Sequence, residues 1–102
     1  MYAVIFRAEI NDLDGAYAAM AVRMRELAMN EYGCSEFTAV TEGTQEIAIS
    51  YWHDQEQIKQ WKQAAEHLVA QRHGRNKWYK SYQVQVVEII RQYTDSTMGS
   101  LL

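Results

Sequence analysis

Apolar and polar side chains alternate from the start of the chain, with Tyr2, Val4, Phe6, Ala8 and Ile10 on one parity and Ala3, Ile5, Arg7 and Glu9 on the other. That is the period of a half-buried strand, and Asn11-Asp12 ends it. From about Asp14 the spacing changes to threes and fours, through Tyr17, Met20, Ala21, Met24, Leu27 and Ala28. This predicts a helix with one buried face, capped by Asp12 or Asp14 and stopped at Gly33. Residues 35–42 and 45–52 read as two strands around Glu42-Gly43-Thr44, whose glycine can take positive φ, so an antiparallel hairpin is expected. Asp54 is placed to cap a second helix, with Gln57 completing a capping box. Ile58, Trp61, Ala65, Leu68 and Val69 form the inward stripe of that helix, and Gly74 after Arg72-His73 is its stop.

The last strand pattern is long, from residue 79 to residue 93, and apolar on both parities: Tyr82, Val84, Val86 and Ile90 on one, Val87 and Ile89 on the other. At about 3.3 Å per residue it would span about 50 Å, against a radius of gyration of about 13 Å for a domain of this size. It is expected to reach beyond its own subunit. The order β-α-β-β-α-β predicts an α+β, ferredoxin-like domain, a four-stranded antiparallel sheet with both helices on one face. The other face would be apolar and bare. Pairing two such sheets face to face in a homodimer covers it and yields a dimeric α+β barrel. The domain is expected over residues 1–93, with residues 94–102 as a C-terminal tail or a strap across the partner.

Composition narrows the function. The chain has 102 residues, 48% of them apolar and 23% charged, as in an ordinary globular domain. A net charge of −3 with no basic stripe argues against nucleic acid as the main partner. No apolar run approaches bilayer-spanning length and no signal-peptide pattern follows Met1, so no membrane partner and a cytoplasmic location are expected. The single cysteine, Cys34, fits a reducing compartment and reads as a small buried residue.

The chemistry-bearing residues are concentrated between Tyr51 and Tyr82, which enclose all three tryptophans and all three histidines. Aromatic rings with a few polar tips suit a flat organic ligand. Tyr51-Trp52, Trp61, His67, Gly74, Trp78-Tyr79 and Tyr82 together resemble the antibiotic biosynthesis monooxygenase (ABM) domain family. In that family a strand ending in Tyr-Trp leads into a helix with Trp and then His, followed by a Gly-x-x-x-Trp-Tyr-x-x-Tyr turn. The resemblance spans essentially the whole chain and implies the same dimeric barrel. It further implies a cofactor-independent monooxygenase that binds a small planar phenol or quinol, favours its anion and lets it react with dioxygen. By that analogy Trp61 positions the ring, His67 assists proton removal and Arg7 stabilises the anion, while Tyr51, Trp78 and Tyr82 line the substrate site.

Read from the residues themselves, Trp61 is either a pocket indole or a packed core ring. His67 is either a base or a surface histidine, because at about 100° per residue it sits about 120° around the helix from Trp61. His67 and His73 are six apart, which is not the spacing of ligands on one helical face, so no metal site is expected. Asp54, Glu56 and Glu66 read as caps or solvated helix residues. Arg72, His73, Arg75, Lys77 and Lys80 gather positive charge around a turn, either as a solvated loop or as a holder for an anion. No phosphate loop, nucleophile elbow or Cys-x-x-Cys pair occurs.

Two alternatives stand beside the oxygenase. The haem-binding or haem-degrading branch of the superfamily resembles this chain in the nine-residue spacing from Trp52 to Trp61. That branch also uses a first-strand Asn and a helical His ligand, where this chain offers no Asn before Asn11 and has Gln71. The other is a non-catalytic dimer that binds a hydrophobic metabolite.

Overall fold

The computed structural model describes residues 1–11, 15–71 and 78–95. Six elements follow in the expected order: β1 (Tyr2–Ile10), α1 (Gly15–Asn30), β2 (Glu36–Glu42), β3 (Gln45–Trp52), α2 (Gln55–Gln71) and β4 (Tyr79–Glu88). The strands form one antiparallel sheet in the order β2-β3-β1-β4, with β1 between β3 and β4. Both helices lie on one face of it, which is the ferredoxin-like α+β arrangement.

Register follows the alternation in β1. Val4 pairs with Ser50 and Val86, Phe6 with Ala48 and Val84, and Ala8 with Glu46 and Tyr82. These residues share the helix face. Ala3, Ile5 and Arg7 point the other way, beside Tyr51, Ile49 and Ile47 of β3 and Val87, Gln85 and Gln83 of β4. Under the helices the core divides into two clusters. One gathers Val4, Ala28, Cys34, Trp52 and Ile58, with Trp61 and Phe37 packed against it. The other gathers Ala8, Ile10, Tyr17, Met20 and Trp78, with Phe6, Met24, Leu68, Val69 and Tyr79.

The expected punctuation is present. Gly33 takes φ 84° where the chain leaves α1, and Tyr32 N and Cys34 N donate to the carbonyls of Leu27 and Ala28. This is how a left-handed residue closes a helix C-terminus. Gly43 takes φ 61° in the β2–β3 turn. Asp54 Oδ1 accepts from Gln57 N at 2.8 Å, the capping bond predicted for α2. The reciprocal half of the capping box is replaced: the Gln57 side chain lies over Gly33, and its Oε1 is buried with no hydrogen-bond partner.

One element is shorter than its pattern. β4 ends at Glu88, opposite Tyr2 at the start of β1, and not near residue 93. A single bond, Ile89 N to Met1 O at 3.0 Å, continues the edge. Ile90 and Tyr93 project into solvent at 90% and 71% exposure. The expected caps Asp12 and Asp14, the stop at Gly74, the basic residues Arg72, His73, Arg75 and Lys77, and most of the tail at 94–102 lie outside the described residues.

Candidate functional site

The residues singled out in the sequence fall on three surfaces. Trp61 projects from α2 towards the sheet, with its indole 5.3 Å from Trp52 and 6.1 Å from Phe37 between ring centroids. Its Nε1–H donates to Met24 O of α1 at 3.1 Å. Trp78 is sealed in the second cluster, and Tyr82 stacks on Phe6 at 6.1 Å on the same face of the sheet. Arg7 and Tyr51 lie on the opposite face, Arg7 exposed and Tyr51 half-buried. His67 is exposed on α2 outside the inward stripe, as its angular offset from Trp61 requires. Within one subunit the fold therefore brings Trp61, Trp78 and Tyr82 under the helices and does not bring His67 or Arg7 to them.

Two features of this frame bear on ligand binding. The first is a hollow of about 470 Å³ on the bare face of the sheet, lined by residues that include Ala3, Ile5, Ile49, Tyr51 and Ile89. The second is an aromatic nest under the helices. Tyr79 meets Phe6 edge-on at 5.8 Å and Tyr17 at 6.0 Å, lies 5.5 Å from Tyr82, and Tyr17 in turn meets Trp78 at 5.9 Å. A register shift between Glu9 and Ile10 brings Tyr79 opposite Ile10, so Trp78-Tyr79 turns inward at the start of β4. Along the helix face of β4 the nest reaches the sheet edge, where Tyr82 and Val86 remain 43% and 47% exposed.

Sequence reasoning named Trp78 and Tyr79 but passed over Glu46, the carboxyl beside this nest. Glu46 lies on the helix face of β3 and is 8% exposed. Burial raises the pKa of its carboxyl above the usual carboxylate range. Burial, reinforced by the charges of Glu46 and Tyr82, pushes the Tyr79 phenol up to about 12. Trp78 Nε1 is also buried without an acceptor. The signal for Glu46 was its parity, shared with Ser50 and Trp52. It was masked because the other parity of β3, Ile47, Ile49 and Tyr51, is the more apolar one. Below Glu46, Ser50 Oγ accepts the Trp52 indole N–H at 2.8 Å and satisfies the one polar group of that ring.

Cys34 is buried, its pKa is raised chiefly by desolvation, and its Sγ donates to Glu36 O at 3.1 Å. It is an inert core thiol. Among the described residues no group of three or more His, Cys, Asp or Glu could hold a metal ion, and no helix is long and apolar enough to cross a membrane.

No family model matches the chain. It is 37% identical over 92 residues to the uncharacterized protein YqjZ of Bacillus subtilis, covering 89% of this chain and 81% of YqjZ. Its fold is similar to that of SnoaB, a cofactor-independent oxygenase from Streptomyces nogalater, at TM-score 0.73 and 9% identity over 92% of this chain and 97% of SnoaB. Rv0793 from Mycobacterium tuberculosis matches at TM-score 0.72 and 16% identity over 91% and 98% of the two chains. A Nitrosomonas europaea protein assigned by name to the antibiotic biosynthesis monooxygenases matches at TM-score 0.71 and 17% identity over 89% and 100%. The chain belongs to one family with YqjZ and carries the fold of the antibiotic biosynthesis monooxygenase (ABM) domains.

Proposed function

We propose that this protein is a homodimeric, cofactor-independent monooxygenase that acts on a small planar phenol or quinol. The observation that carries this reading is the nest of Phe6, Tyr17, Trp78, Tyr79 and Tyr82 under the helices of a fold shared with SnoaB. Offset and edge-on rings present flat apolar walls to a planar ligand, and such pairs are stable enough to persist as a preformed surface. In the reaction the ligand loses a proton, and its anion reduces dioxygen. One oxygen atom enters the product and the other leaves as water, so the ring itself supplies the electrons. The protein's contribution is to bind the ring, stabilise the anion and exclude bulk water. Trp61 anchors α2 beside the nest, since the carbonyl that accepts its N–H belongs to Met24, whose side chain packs in the second cluster.

The homodimer rests on the bare face of the sheet. Ile47, Val40 and Val87 are 39%, 60% and 37% exposed there, an apolar surface that a second copy would cover. Purified protein mixed with 1,4-naphthoquinol should consume oxygen above the uncatalysed rate, without added flavin, nicotinamide or metal and with no loss of rate in a chelator. An uncatalysed rate across a panel of quinols, or a stoichiometric flavin or haem in active protein, overturns this reading. A Soret band on titration with haem would favour haem binding instead.

A further inference from the structure

Strand register sorts the bare face of the sheet into rows that run across all four strands. Tyr51 and Ala3 share one row, with Glu36 at its margin, and Ile49 and Ile5 share the next; these rows carry the hollow. Arg7 lies in the third row beside Ile47, and Glu9 and Glu42 lie in the fourth. The face therefore has an apolar end and a charged end. Arg7 is the only Lys or Arg in these rows, and it stands exposed on a central strand. The ion pairs among the described residues, Arg23 with Glu26 and Lys62 with Glu66, lie on the helices, so neither Arg7 nor Glu42 takes part in one.

We propose that Arg7 pairs with the partner's Glu42 in the homodimer, and that this pair, made twice about the two-fold axis, sets which ends of the two sheets meet. The inference rests on the homodimer proposed above and assigns Arg7 to its interface, not to the ligand anion. A guanidinium in the middle of a covered face costs more to desolvate than the contact returns, unless a carboxylate meets it. A two-fold axis between the sheets can stack the faces with strands aligned in two ways. Turned about a line across the strands, each copy lays its charged end on the other's apolar end. Arg7 then lies over the partner's Ile5 and Glu42 over the partner's Glu36, a bare charge and a like-charge contact. Turned about a line along the strands, apolar rows meet apolar rows and charged rows meet each other. β3 then covers the partner's β1 and β2 the partner's β4, so the partner's Glu42 stands one strand and one row from Arg7. Stacked sheets are about 10 Å apart, a gap that the two long side chains bridge together. Glu9 is the rival carboxylate, but its Oε1 accepts from Thr44 Oγ1 at 2.6 Å and is held to its own sheet. Glu42 is exposed at the end of an edge strand.

The test swaps the charges. Arg7→Glu and Glu42→Arg, each checked for folding by circular dichroism, should alone raise the dimer dissociation constant at least about tenfold, the low end for a close charge pair across an interface. Mixed together, the two variants should form a heterodimer in native mass spectrometry, because the new carboxylate of one chain faces the new guanidinium of the other while Arg7 of the second still faces Glu42 of the first. Both substitutions in one chain should restore the homodimer. Arg7→Gln and Glu42→Gln, which introduce no like charges, serve if a reversal fails to fold: the double variant should dimerise no more weakly than either single one. Charge reversals that leave the dimer intact, or variants that form no heterodimer when mixed, overturn the proposal and leave the homodimer standing. Arg7→Glu that pairs with Glu9→Arg or Glu36→Arg in place of Glu42→Arg overturns it too, and the Glu36 result would show that opposite ends meet. A monomeric wild type removes the homodimer reading and the pair with it.

Discussion

Trp61 lies 5.3 Å from Trp52, centroid to centroid, and hands its N–H to Met24 O, so one side chain of α2 ties the sheet to α1. Trp61→Phe keeps the ring contact but deletes that hydrogen bond, and should lower stability by about 1 kcal/mol. Trp61→Ala removes both and should cost about 3 kcal/mol, the lower end for a large aromatic because the ring is only partly buried. Urea denaturation of the three proteins checks the order. Equal stability of Trp61→Ala and wild type would show that the indole holds nothing together.

At Gly33 two separate costs can be resolved. A Cβ there would sit 2.5 Å from Gln57 Nε2, and φ is 84°. Gly33→Ala should destabilise by about 1–2 kcal/mol through the left-handed backbone, while the flexible Gln57 tip moves aside. If so, adding Gln57→Ala recovers only a few tenths of a kcal/mol. Recovery of the whole loss would mean that the contact, not the backbone, sets the requirement for glycine.

Val87 belongs to the bare face of the sheet and Val86 to the helix face. Val87→Asp should therefore dissociate the homodimer, since a charge placed in an apolar interface would be unpaired. Sedimentation equilibrium at low micromolar concentration checks this, with a dimer expected for wild type across an interface larger than about 1,600 Å². A folded wild-type monomer at that concentration would remove the dimer from the proposed function.

The pH dependence of stability has a definite sign at Glu46. Its folded pKa lies above the unfolded one, so over the interval between them the native state holds a proton that the unfolded chain has lost. Stability is full below the ordinary carboxylate range and falls as pH rises towards the raised folded value. Glu46→Gln removes that loss. Its melting temperature should exceed that of wild type at pH 8, and the difference should shrink as the pH is lowered towards 4. A difference that is constant with pH would show that Glu46 titrates as an ordinary carboxyl.

For these residues the sequence alone determined the local structure, because each signal acts over a few positions. The period-two run in β1, the spacing of Tyr17, Met20, Leu27 and Ala28 in α1, the positive φ at Gly33 and Gly43, and the Asp54 cap all follow from backbone sterics and nearest-neighbour hydrogen bonds. The six-element order then left few ways to cover the sheet, and the ferredoxin-like arrangement followed. Tertiary structure decided which face each side chain serves. In β3 the more apolar parity, Ile47, Ile49 and Tyr51, lies on the bare face, while Glu46 lies under the helices with Trp52. No local rule distinguishes the two faces of a strand when both are partly apolar; only the side on which the helices pack does. The same limit governs the site. Trp61, Trp78 and Tyr82 share the helix side, but His67 and Arg7 are turned from it by helical rotation and strand alternation. The polar groups of the nest come from the start of β3 and the start of β4, more than thirty positions apart, and only strand register brings them to one wall.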